Sequence, residues 1–98
     1  MSFKTIGDLV SGHAQRRGLS FRVEAAMVLE FAKKVIGDRW GELMVSVLKP
    51  LYVKDQVLVI AVLSSAAAQE LKLHERDILA AINKKIGREA VTKIRFLA

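Results

Sequence analysis

Apolar and polar positions fall first into a helical rhythm. From Thr5 to about Arg17, Ile6, Leu9, Val10 and His13 recur at helical spacing, with Thr5 placed to cap the segment and Gly18 to end it. This predicts a short amphipathic helix. Ser20 is placed to cap a second helix running to about Ile36. In it Val23, Met27, Val28, Phe31 and Val35 form an apolar face, while Arg22, Glu24, Glu30, Lys33 and Lys34 keep mainly to the other side. Gly37 offers a stop, and Asp38 to Glu42, containing Trp40, reads as a short connection with at most one further helical turn.

The period then shortens to that of strands. From about Met44 to Val53 the residues are β-branched or large and apolar, interrupted by Lys49 and Pro50. Proline has no N–H to give a ladder, so this strand is expected at an edge, or broken or bulged at Pro50. Lys54-Asp55-Gln56 is a tight polar connection into Val57 to Leu63, and the two strands are expected to pair as an antiparallel hairpin. In the second strand Leu58, Ile60 and Val62 point one way, and Val57, Val59, Ala61 and Leu63 the other. A strand apolar on both faces calls for cover on both, from the chain's own helices or from another molecule.

After Leu63 the alternation stops. Ala66, Ala67 and Ala68 favour a helix, and Leu71, Ile78, Ile82 and Ile86 share one stripe, so a long helix is expected from Ser65 to Asn83-Lys84-Lys85-Ile86-Gly87. Ser64 and Ser65 stand at the strand-to-helix junction as its cap, and Gly87 ends it. From about Ala90 to Leu97, Thr92, Ile94 and Phe96 alternate with Lys93, Arg95 and Leu97, predicting a last strand with one inward and one basic face. Strand, helix, strand makes a parallel crossover. The expected architecture is α+β in the order α-α-β-β-α-β, with a three-stranded mixed sheet packed against helices.

Ninety-eight residues allow one core. The single Pro and 52% hydrophobic content argue for compact structure with few long loops. No uncharged stretch is long enough to span a bilayer, and the start MSFKTIGDLVSG lacks a signal peptide's apolar core and cleavage site. We therefore expect a soluble, unexported, cytoplasmic protein with no membrane partner. The absence of cysteine rules out disulfides, thiolate metal sites and a Cys nucleophile. Sixteen Lys and Arg against ten Asp and Glu leave a charge of +6, which draws the protein to polyanions.

Catalytic patterns fare poorly. Ser65 and His74 would be roughly 13 Å apart along a continuous helix rising about 1.5 Å per residue, whereas a nucleophile and its base must be about 3 Å apart. His13 and His74 are far apart in sequence and the carboxylates are scattered, so no metal is expected. No Gly-rich phosphate loop is present, and Gly37-Asp38-Arg39-Trp40-Gly41 has one residue too many for a Gly-x-x-Gly clamp on a single strand. No enzyme activity and no cofactor is expected.

The cations are the better lead. Lys33, Lys34 and Arg39 surround the end of the second helix, Lys84, Lys85 and Arg88 the end of the third, and Lys93 and Arg95 share a strand face. If they converge, they bind phosphates, with Trp40 as a stacking surface beside them. Otherwise Lys84 and Lys85 only complement a helix end, and Trp40 fills the core.

One set of features is held in common with a known family: Ile36-Gly37, Pro50, Leu58-x-Ile60-x-Val62-x-Ser64-Ser65, Gln69-Glu70-Leu71, Leu79-x-x-Ile82-Asn83, Gly87 and Ile94-Arg95-Phe96. In these the chain, from about Phe31 to Leu97, resembles the DciA family of bacterial proteins. It departs in carrying Phe31 where many members have Trp, in Gln56 for the usual turn Gly, and in ending just after Ile94-Arg95-Phe96 without a basic tail. The resemblance implies a KH-like domain and a role in bacterial DNA replication: binding a DnaB-type replicative helicase and assisting its loading, with DNA, single-stranded for preference, held by basic surfaces. The expectation is one such domain over 1–98, with 1–19 a helical extension. The alternative is a protein-interaction or homodimer module that uses apolar sheet surface and binds no DNA usefully.

Overall fold

The computed structural model describes residues 14–98, with side chains from Arg22 onward. The expected cap at Thr5 and the stripe Ile6-Leu9-Val10-His13 lie outside the described residues. From Ala14 the chain runs as one long helix, α1 (Ala14–Trp40). It passes through Gly18, Ser20 and Gly37 without a break, so the expected stop at Gly18 and start at Ser20 are corrected. An interior glycine weakens a helix by only about 1 kcal/mol, which packing elsewhere overrides. The core stripe is Val28, Ala32, Val35 and Ile36, all buried, with Phe31 partly buried beside it. Val23 and Met27, placed on the apolar face by periodicity, are exposed, because the helix turns Glu24, Ala25 and Val28 toward the body at this level and leaves these two on its outer flank.

Gly37 does not stop α1; it lets a neighbour in. A Cβ there would sit 3.3 Å from the Val45 side chain. The true terminator is Gly41, at φ 101, whose N–H bonds the Gly37 carbonyl at 2.8 Å. A short helix α2 (Glu42–Val47) follows, where the pattern of Met44 to Val47 predicts strand. Met44, Val45 and Val47 pack against the core from this turn, and that packing outweighs their β propensity.

The sheet is three-stranded and mixed: β1 (Leu48–Lys54) pairs antiparallel with β2 (Val57–Val62), and β2 pairs parallel with β3 (Lys93–Leu97). The order β1-β2-β3 puts β1 at an edge, and its register slips between Pro50 and Tyr52. Both expectations raised by Pro50 are met. Asp55 and Gln56, at φ 53 and 65, form the two-residue left-handed turn of a tight hairpin.

The expected single crossover helix is two, α3 (Ser65–Leu73) and α4 (Glu75–Ile86). His74, at φ −112 and ψ 18, interrupts them, its ring held between Arg39, Trp40 and Glu70. The Ser64 side chain caps α3 by accepting from the Ala67 N–H at 3.2 Å, while Ser65 is the first helical residue rather than a cap. Gly87, in the left-handed region, closes α4. Ala90 and Val91 are buried but lie ahead of β3, not in it. Their N–H groups are taken by the Asn83 side chain, at 2.8 and 3.0 Å, instead of by a neighbouring strand.

The described residues thus form four helices and three strands in the order α-α-β-β-α-α-β. One core joins Val28, Ala32 and Ile36 of α1 to Leu48, Leu58, Ile60 and Ile94 of the sheet and Leu71, Ile78 and Ile82 of α3 and α4. No helix among the described residues is long and apolar enough to cross a membrane.

Candidate nucleic-acid interface

The cations singled out in the sequence fall in three places. The first is the α1–α4 pair. Contacts of Arg39 with Asp77, Phe31 with Lys85 and Glu24 with Arg88 show the two helices running antiparallel. Lys33 bonds Glu30 at 3.3 Å, Lys85 Nζ lies 5.9 Å from the Phe31 ring centroid, and Lys34 and Lys84 are exposed. Arg88 makes a two-pronged ion pair with Glu24, its Nε donating at 2.8 Å and its second nitrogen bonding the other carboxylate oxygen. That hydrogen bond, then the charge of Glu24, raises the guanidinium pKa above its already high ordinary value. Arg88, just past the Gly87 cap, is thereby engaged in tying the end of α4 to α1.

The second place is the α1 C-terminus. Arg39 reaches His74 Nδ1 at 3.3 Å and Asp77 at 3.4 Å, and its guanidinium lies 5.5 Å from the Trp40 ring centroid. Trp40 meets the His74 ring edge-on at 5.6 Å and is half-buried against the core. His74 Nε2 lies 3.4 Å from Glu70. His74 is therefore a joint between the end of α1 and the α3–α4 break, not the base of a serine nucleophile, and Ser64 is committed to its cap at the other end of α3.

The third place is the sheet face turned away from the helices. In register, Lys54, Val57 and Lys93 form one row across the three strands, and Tyr52, Val59 and Arg95 the next. Side chains in such a row share a face. Val59 is only 3% exposed although it lies on this outer face, between the long side chains of Tyr52 and Arg95. Their apolar stems shade it while their polar ends stay in water. This is how the strand that is apolar on both sides gets its second cover. With Lys72 of α3 and Glu75 of α4 at the rim, these residues line an open depression of about 770 Å³. Glu75 is partly spent, since it accepts from the Ile94 N–H at 2.8 Å.

Of the predicted cations, therefore, Lys93 and Arg95 stand apart from the helix cations, and Trp40 is not beside them. Sequence reasoning missed Tyr52, Lys54 and Lys72. The alternation Lys49, Tyr52, Lys54 is hidden by one extra residue: Leu51 has no partner in the ladder, and it resets which side chains face out.

The family model described as Dna[CI] antecedent, DciA, matches residues 5–96. The chain belongs to the DciA family. DciA proteins associate with the DnaB replicative helicase and serve in its loading during replication; they are accessory proteins, not known enzymes. Comparison with curated protein sequences finds no significant match. The shared DciA features that the structure explains are fold-making ones: Ser64 caps α3, Gly87 closes α4, Asn83 anchors the loop before β3, and Pro50 marks the bulge. Function in this DciA protein is to be sought on the surfaces that this frame carries.

Proposed function

We propose that the protein is a non-enzymatic, nucleic-acid-binding accessory of a DnaB-type replicative helicase, which assists helicase loading while holding DNA by its phosphates. On this reading the chain is a single KH-like domain, in which α1 runs unbroken from Ala14 with no boundary at residue 19. The observation that carries the helicase role is the DciA match across residues 5–96. DNA binding is supported by the charge of +6 and by exposed cations, Lys34 and Lys84 on the helices and Lys93 and Arg95 on the sheet. Such contacts neutralise phosphates without reading sequence. The rival reading, an apolar sheet surface for self-association, has little to stand on: the centre of the outer face lies beneath Tyr52 and Arg95, and the bulge at Leu51 blunts the β1 edge.

Titration of a labelled single-stranded oligonucleotide tests the DNA half. With about four phosphates contacted, and a slope near −0.7 per phosphate for single strands, affinity falls roughly 50-fold between about 50 and 200 mM salt. Affinity is expected to be indifferent to sequence. Absence of binding at the lower salt contradicts the proposal.

A further inference from the structure

We propose that the outer face of the sheet is the track for single-stranded nucleic acid, with Tyr52 as its stacking platform and Lys54, Lys72, Lys93 and Arg95 as its phosphate ligands. The inference rests on the DNA-binding reading above and gives it a location. Nothing in the DciA match assigns these residues.

Three observations converge on it. Tyr52 is 45% exposed in the middle of β1, with no covering element among the described residues. A large aromatic ring left open on a sheet offers a π-face to an unpaired base of any identity. Around it four cations line one depression, Lys54 and Lys93 across the same row, Arg95 opposite Tyr52 in the next, and Lys72 at the rim. All four are exposed, and no ion pair within 4 Å engages them among the described residues, whereas Lys33, Arg39 and Arg88 of the helices each hold a carboxylate. Asp55 and Glu75 also line the depression, and Glu75 is held by the β3 backbone. Finally, the aim of the face is built in. Leu48, Pro50 and Val53 are partners of Val62, Ile60 and Leu58 on the helix side, and only the unpaired Leu51 between them lets Tyr52 and Lys54 point outward together.

A single strand fits this face better than a duplex or an acidic peptide. Stacking on Tyr52 requires a base free of its partner, and an acidic peptide would have no use for an aromatic ring among the cations. The strand would lay its bases on the Tyr52 ring and leave its phosphates to the lysines at either side.

The test uses the full chain and two oligomers of equal length, one of thymidines and one of abasic sites, which share phosphates but not bases. Wild type is expected to prefer the thymidine oligomer by about tenfold, the value of one good base–aromatic stack. Tyr52→Ala should remove that preference, and Tyr52→Phe should restore it to within about twofold. The double variant Lys93→Gln with Arg95→Gln should lower the salt slope by about 1.4, near 0.7 for each phosphate no longer neutralised. Circular dichroism and the melting temperature check that Tyr52→Ala, which uncovers part of Val59, still folds, and Tyr52→Phe keeps that cover. If wild type binds but Tyr52→Ala and the double variant bind with unchanged preference and slope, the track lies elsewhere and this inference is overturned, while DNA binding stands. Displacement of the oligomer by polyglutamate at equal charge concentration also overturns it, by making the face a site for acidic protein. Failure of wild type to bind either oligomer at low salt removes the parent reading itself.

Discussion

At the scale of single residues, Asn83 does more than any other polar side chain described. Its amide donates to the Val91 carbonyl at 2.8 Å, and its oxygen accepts from both Ala90 and Val91, so one half-buried side chain fixes the loop that feeds β3. Asn83→Ala leaves the Val91 N–H and carbonyl unpaired in a partly buried place, and the Ala90 N–H with only its bond to the Arg88 carbonyl, at a cost of roughly 1–3 kcal/mol. Asn83→Asp keeps the acceptor and should cost less. Urea unfolding of both variants checks the order, and equal stability of all three proteins would contradict it. In the sequence Asn83 stands out only as a shared family position, because its partners lie seven and eight residues away across a loop whose path no local pattern sets. Ser64 is readable, since a cap answers to the turn it begins. Arg88 shows the reverse: a free cation by sequence, it is paired with Glu24, 64 residues earlier. Its folded pKa lies above its unfolded one, so the stabilisation is complete below the unfolded value and is lost only as pH climbs through the folded one. Arginine places that window far into the alkaline range, and Arg88 gives no pH sensitivity near neutrality.

At the scale of elements, the bulge in β1 decides the surface. Side chains alternate across a strand, and the bulge takes Leu51 out of that count, so Pro50 faces Ile60 and Tyr52 faces Val59 as consecutive pairs. Deleting Leu51 should therefore give a regular ladder that keeps Tyr52 and Lys54 outward and Val53 against the core. The deletion variant is expected to fold and to melt close to wild type. A loss of about 2 kcal/mol or more, roughly 10 °C in melting temperature for a domain of this size, would show that the bulge itself and not the register holds the face. Pro50 makes a bulge legible in the sequence, but which side chains it turns outward depends on pairing with β2, which the sequence does not print. The same limit applies to the helices. Periodicity finds the stripe of α1 but not which way the helix turns on the body, hence Val23 and Met27 in water beside the buried Val28, and nothing local announces the break at His74.

At the scale of the whole molecule, one layer of helices covers one side of a small sheet, and the other side carries an aromatic ring among cations. The helix side pairs Lys33, Arg39 and Arg88 with carboxylates and leaves Lys34 and Lys84 exposed, while the sheet-face cations Lys54, Lys93 and Arg95 hold no ion pair among the described residues. On the proposed reading, DNA on the sheet would leave the helix side clear for a protein partner. The central claim, a DciA protein that works by bringing DNA and a DnaB-type helicase together, is met most directly by a loading measurement. Cognate helicase is mixed with a closed single-stranded circle, with and without the protein, and helicase retained on the circle is counted after a salt wash. Several-fold more helicase is expected on the circle when the protein is present. Equal amounts with and without it, together with no capture of helicase by the protein, would contradict the claim.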